Sequence, residues 1–126
     1  MITDLRSYIL ADSSISDEIG TRLFPEIAHN ITADNPYAIY TVLSSNTVDC
    51  HSDSGILHED LLEISVHAST VTKVYELAEL FRTRLSNKRV TLGSYDAHIK
   101  WSSFNTNYSD NDEIFSGSIT LDVTWS

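Results

Sequence analysis

The stretch from Glu59 to Leu85 changes its hydrophobic period once, and that change restricts the chain to a mixed fold. Up to His67, apolar Leu62, Ile64 and Val66 alternate with Glu63, Ser65 and His67, the period of two of a strand with one buried face. From there the period lengthens. Val71, Val74, Leu77, Ala78, Phe81 and Leu85 form one helical stripe, with Lys73, Glu76, Glu79, Arg82 and Arg84 largely off it. Ser69 or Thr70 supplies the cap between the two segments. A half-buried strand running straight into an amphipathic helix calls for a sheet with that helix on its apolar face.

The remaining segments extend the same reading. Thr3 caps a helix over about 3–11 with Leu5, Tyr8 and Ile9 on one face, and Ser14 to Gly20 reads as one short helical turn. Pro25 confines 21–27 to an extended or edge position. After the Asn35-Pro36 turn, Tyr37 to Leu43 reads as a strand apolar on both faces, with Tyr37, Ile39 and Leu43 on one and Tyr40 and Val42 on the other. Polar residues 44–57 then read as the long tip of a hairpin. Alternation returns in Val90 and Leu92, in Ala97, Ile99 and Trp101, and in Phe115, Ile119, Leu121, Val123 and Trp125. The expected fold class is therefore α+β: a mostly antiparallel sheet of about four or five strands packed against two principal helices, in one domain over 1–126.

Composition excludes several functions. Eight Lys plus Arg against 18 Asp plus Glu give a formal charge of −10, too few and too scattered cations for a continuous run of phosphates. A conventional nucleic-acid module is disfavoured. The single Cys50 rules out an internal disulfide framework and fits a reducing compartment, and no window reaches the ~18 to 20 apolar residues that span a bilayer, so no membrane partner is expected.

Local chemistry is sparse. Asp49, Cys50, His51, Asp53 and His58 are all possible zinc ligands, yet their spacing matches no closed site, and a solvated hairpin tip explains them better. Cys50 and His51 are adjacent on an extended chain and point apart, which disfavours a thiol–imidazole pair. His29, His67 and His98 read as polar surface positions. The carboxylate pairs Asp17-Glu18, Glu59-Asp60 and Asp112-Glu113 read as helix-end, strand-start and turn charges. Arg82, Arg84, Lys88 and Arg89 complement the negative end of the long helix. No phosphate-loop, dinucleotide, nucleophile-elbow or zinc-protease signature occurs. The expectation is no enzyme, no metal and no cofactor.

The order of short motifs carries more information. Leu5-Arg-Ser-Tyr-Ile-Leu10 is followed by Ile19-Gly-Thr-Arg-Leu-Phe-Pro25, by Asn35-Pro-Tyr-Ala-Ile-Tyr40, and by the strand Leu61–Thr70 running into Val74–Leu85, with Arg82 and Leu85 at its end. Over nearly the whole chain this resembles the tail completion proteins of long-tailed bacteriophages, also called tail terminator or tail-to-head joining proteins. The resemblance implies a homo-oligomeric ring, usually of six subunits, at the head-proximal end of the tail tube. Such a ring would stop tube polymerisation and contact both the tail tube protein and the head–tail connector. It would reside in the neck of a virion assembled in the host cytoplasm, with DNA only as passing cargo.

A ring needs a head-to-tail interface, and such interfaces use sheet edges and exposed apolar side chains. Tyr40 and Val42 are the first candidates for it, with Phe104 and Tyr108 as weaker ones and core packing as the rival role. Asp49, His51 and Asp53, in a segment that follows no pattern of the resembled family, are assigned to contact a neighbouring protein. Two alternatives stand beside the tail reading: a head-side neck or connector ring, and a small acidic binding domain.

Overall fold

The computed structural model describes residues 1–26, 35–49, 56–109 and 114–126. Three helices, α1 (Ile2–Leu10), α2 (Ser13–Ile19) and α3 (Val71–Leu85), accompany six strands. The strands are β1 (Leu23–Pro25), β2 (Tyr37–Asp49), β3 (Ile56–Ala68), β4 (Lys88–Leu92), β5 (Tyr95–Ser109) and β6 (Ile114–Trp125). They form one curled sheet in the order β1-β2-β3-β6-β5-β4, antiparallel except for the parallel β1–β2 pair.

This corrects the expected four or five strands and two principal helices. The fold is still α+β, but it is richer in strand and its sheet is mixed. Two features of the sequence concealed this. Ser44 to Asp49 and Ile56 to Leu57, expected in the long tip, instead continue the ladder, because backbone pairing holds them and their side chains can be polar. The short Leu23–Pro25 strand pairs in parallel with Ala38–Tyr40, a long-range contact that no local pattern announces. The caps differ too. Asp12, not Ser14, caps α2 by accepting from the Ser14 amide at 2.9 Å, and Thr3 lies inside α1. Thr70 caps α3 as expected, accepting from Lys73 N at 3.2 Å.

Strand alternation gives the sheet one apolar, concave face. Leu62, Ile64 and Val66 of β3 lie opposite Leu121, Ile119 and Gly117 of β6, and all of the larger side chains are buried. Helix α3 lays Val74, Leu77, Ala78, Phe81 and Leu85 on this face; Val71, expected on the same stripe, is instead 40% exposed. Leu5 and Ile9 of α1 and Ile15 and Ile19 of α2 complete the core. The convex face is polar, with Glu59, Glu63, Ser65 and His67 of β3 beside Thr124, Thr120, Ser118 and Ser116 of β6. No described helix covers it.

Two β-bulges shape the curl. The pairing of β2 shifts between Val42 and Ser44, and that of β5 between Trp101 and Ser103. They flank a single row across the sheet, since Val42 pairs with Leu62, Leu62 with Leu121, and Leu121 with Trp101. Each bulge increases the local twist and reverses which residues point inward. The second one turns Phe104 onto the concave face, although it falls out of phase with Ala97, Ile99 and Trp101.

Gly117 makes room for that ring. A Cβ there would come within 2.5 Å of Phe104 Cε2 and 3.0 Å of Val74 Cγ1. Gly117→Ala should therefore destabilise the fold by about 1–3 kcal/mol through overpacking, and Phe104→Leu in the same chain should restore part of the loss; urea unfolding of the three variants measures both.

Candidate assembly surface

The motifs that suggested a family turn out to pair with each other. Gly20, at φ +60, ends α2 and turns the chain so that Leu23, Phe24 and Pro25 lie beside Ala38, Ile39 and Tyr40. Arg22 reaches back, donating from Nε to the Pro36 carbonyl at 2.8 Å and from Nη2 to the Glu18 carbonyl at 3.1 Å. Arg6 of α1 donates to the carbonyls of Leu23 and Thr21 at 3.0 and 3.1 Å. Both motifs thus serve local architecture, and Arg22 is the clasp between them.

Arg84 does a similar job for α1. Its Nε and Nη2 donate to the Tyr8 carbonyl at 3.1 and 2.8 Å, its guanidinium lies 3.7 Å from the Tyr8 ring centre, and Tyr8 Oη donates back to the Arg84 carbonyl. Lys73 joins α3 to α2 through Glu18 at 2.8 Å, with Glu76 at 3.3 Å. The Glu18 hydrogen bond is the main reason its ammonium sits above the ordinary lysine range. Sequence reasoning read Arg84 as a helix-end charge and missed its packing, because its partner lies 76 residues away.

The candidate interface residues occupy different settings. Tyr40 is half-buried and packs against the core, whereas Val42 is 39% exposed. Phe104 is half-buried against Gly117 and meets Tyr75 edge-on, with ring centres 6.0 Å apart. Tyr108 and Asp49 lie in β5 and β2 near the strand ends, and His51 and Asp53 fall outside the described residues, as does Cys50. Among the described residues, the large hydrophobic side chains left exposed are Val42, Leu43, Val71 and Tyr75. Leu43, Val71 and Tyr75 were not singled out as surface contacts. The signal for Leu43 was the bulge, which cannot be read from alternation alone.

At one end of the sheet a buried carboxylate joins three strands. Asp60 accepts from Ser45 Oγ at 2.6 Å and from Trp125 Nε1 at 3.0 Å, and the Trp125 ring stacks on His58 and meets Tyr95 edge-on. His58 thus packs against an aromatic ring; Cys50, His51 and Asp53, grouped with it in the sequence, fall outside the described residues. Nearby, an open concavity of about 430 Å³ is bordered by Arg89, Asp96 and His98, the last held by Asn87 Oδ1 at 3.0 Å. On the convex face His67 stacks on Tyr37 with ring centres 4.6 Å apart and shares a hydrogen bond with Ser65.

No family model matches the chain, and no curated protein does. Solved structures do match. A chain from the virion of a native gene transfer agent particle superposes with a TM-score of 0.72 at 12% identity, covering 94% of this chain and 88% of that one. A second solved chain superposes at 0.63 with 11% identity, covering 100% and 96% respectively. At such identities the likeness is one of fold.

Two outcomes follow from the local chemistry. Asp60→Ala leaves the Trp125 and Ser45 donors without their acceptor and should cost about 2–3 kcal/mol in urea unfolding, with a shift in tryptophan emission; Asp60→Asn, which keeps an acceptor, should cost less. Burial holds the His67 imidazole below its ordinary pKa of 6.5. The stability it lends is complete above pH 6.5 and is lost as the pH falls through the lower folded-state value. The urea midpoint should thus drop between pH 7.5 and 5.5, and less steeply in His67→Gln.

Proposed function

We propose that this chain is a structural protein of a phage-like virion, forming a ring at the head-proximal end of the tail tube that stops tube growth and joins the tail to the head connector. The observation that carries the reading is the fold it shares over 94% of its length with a chain of a gene transfer agent virion, a phage-like particle. The order of the Gly20–Pro25 and Pro36–Tyr40 motifs supports the tail-side assignment. The ring acts by assembly and shape, without catalysis or cofactor, and DNA passes through it as cargo.

The chain's surface chemistry is compatible with that role. Its exposed apolar side chains sit beside strand edges, where a subunit interface would use them, and its net charge of −10 disfavours retention of passing DNA.

Native mass over a concentration series, followed by negative-stain imaging, tests the reading. The expected result is a closed ring with a central hole that caps purified tail tubes and halts their extension. A ring that ignores tubes but binds the portal side would move the protein to the head side of the neck. A monomer that neither self-associates nor binds tubes would overturn the proposal.

A further inference from the structure

Both long outer strands of the sheet are only partly covered. Strand β1 flanks β2 as far as Tyr40, and β4 flanks β5 as far as Ile99. Among the described residues nothing pairs with the outer edge of β2 from Thr41 to Asp49 or of β5 from Lys100 to Ser109. Each free edge is about 30 Å long at ~3.3 Å per residue. Unpaired edges of this length invite pairing with another chain, and proteins usually blunt them with charge or proline. Here neither edge holds a proline, and the charges are confined to one end of each, Asp49 and Lys100.

The exposed apolar side chains divide between these same edges. Val42 and Leu43 lie on the β2 edge at its bulge. Val71 and Tyr75 lie one helical turn apart on α3, and Tyr75 touches Phe104 on the β5 edge. Val42 and Phe104 both belong to the concave side, because their register partners Leu62 and Ile119 are core residues. The two edges are different surfaces on opposite sides of the sheet, which is what a head-to-tail contact requires and a two-fold contact does not. Direction agrees as well. β2 and β5 run antiparallel within the sheet, so neighbouring copies in the same orientation bring them together as an antiparallel pair.

We propose that copies of this chain join head to tail, with the free edge of β2 laid antiparallel along the free edge of β5 in the next copy; full overlap of the two edges sets Val42 and Leu43 opposite the Asn107–Tyr108 end of β5, where α3 begins, and against its Val71 and Tyr75. The short strands β1 and β4 then act as stops that set the stagger between copies. This interface rests on the ring reading above and specifies how the ring is made.

The test uses full-length protein and sedimentation velocity. Leu43→Asp spoils one edge and Tyr75→Asp the other; both positions are at least half exposed, so melting temperatures should stay within a few degrees of wild type. Leu43→Ser and Tyr75→Ser repeat the test without added charge. Thr47→Pro removes a backbone donor from the free edge. The Ala38 amide and the Tyr40 carbonyl bond on the β1 side, and the bulge shifts the phase so that Ser45 and Thr47 point that way.

Wild type should assemble, and each variant should self-associate at least tenfold more weakly. An equimolar mixture of Leu43→Asp and Tyr75→Asp should form a dimer and stop, because each partner keeps one intact and complementary edge. Variants that assemble like wild type, or a mixture that stays monomeric, would overturn this interface while the ring itself stands. A wild-type protein that stays monomeric at every concentration and does not assemble on purified tail tubes would remove both.

Discussion

The contact on which this molecule depends is that of α3 with the concave face of β3 and β6. Leu62, Ile64, Leu121 and Ile119 present a continuous apolar surface, and Phe81, Leu77 and Val74 fill it from the helix side, all of them fully buried. Each such side chain contributes about 1.5–3 kcal/mol when removed from water, so these seven together contribute on the order of 10–20 kcal/mol to the driving force for folding. Everything peripheral is placed relative to it. Helices α1 and α2 reach the core through Leu5, Ile9, Ile15 and Ile19, and they are then fixed by arginines that donate to backbone carbonyls rather than to carboxylates.

That choice of partner suits the composition. The chain carries 18 acidic residues, yet Arg6, Arg22 and Arg84 spend their guanidinium donors on carbonyls of Leu23, Thr21, Pro36, Glu18 and Tyr8. Carbonyl acceptors at helix ends and strand edges lie in fixed geometry, and planar guanidinium matches two of them at once. The net charge is left on the surface, where it is free to act at longer range.

The central layer was legible in the sequence because its signals are local. The alternation of Leu62, Ile64 and Val66, the stripe of α3 from Val74 onward and the Thr70 cap depend on residues within one element, and all of them hold. The losses are equally specific. Val71 belongs to the stripe by spacing, but as the first residue of α3 it stays 40% exposed. The polar run after Leu43 looked like a loop because edge strands are held by backbone pairing, which composition does not report. The bulges at Leu43 and Ser102 each shift the phase by one residue, so Phe104 could not be assigned to the concave face by counting. Of the candidate contacts, Val42 is exposed and Tyr40 is packed on the core, a difference that depends on where the helical layer stops.

The opposed direction of the two hairpins has a consequence for any cyclic assembly of this chain. The far end of the β2–β3 hairpin, at Asp49 and Ile56, lies beside Tyr95 and Trp125, whereas the far end of the β5–β6 hairpin, at Ser109 and Ile114, lies beside Tyr37 and Ala68. The two ends of the sheet therefore differ in chemistry, one carrying the Trp125–His58–Asp60 cluster and the other the start of α3, and every copy in a cyclic assembly presents both in the same sense.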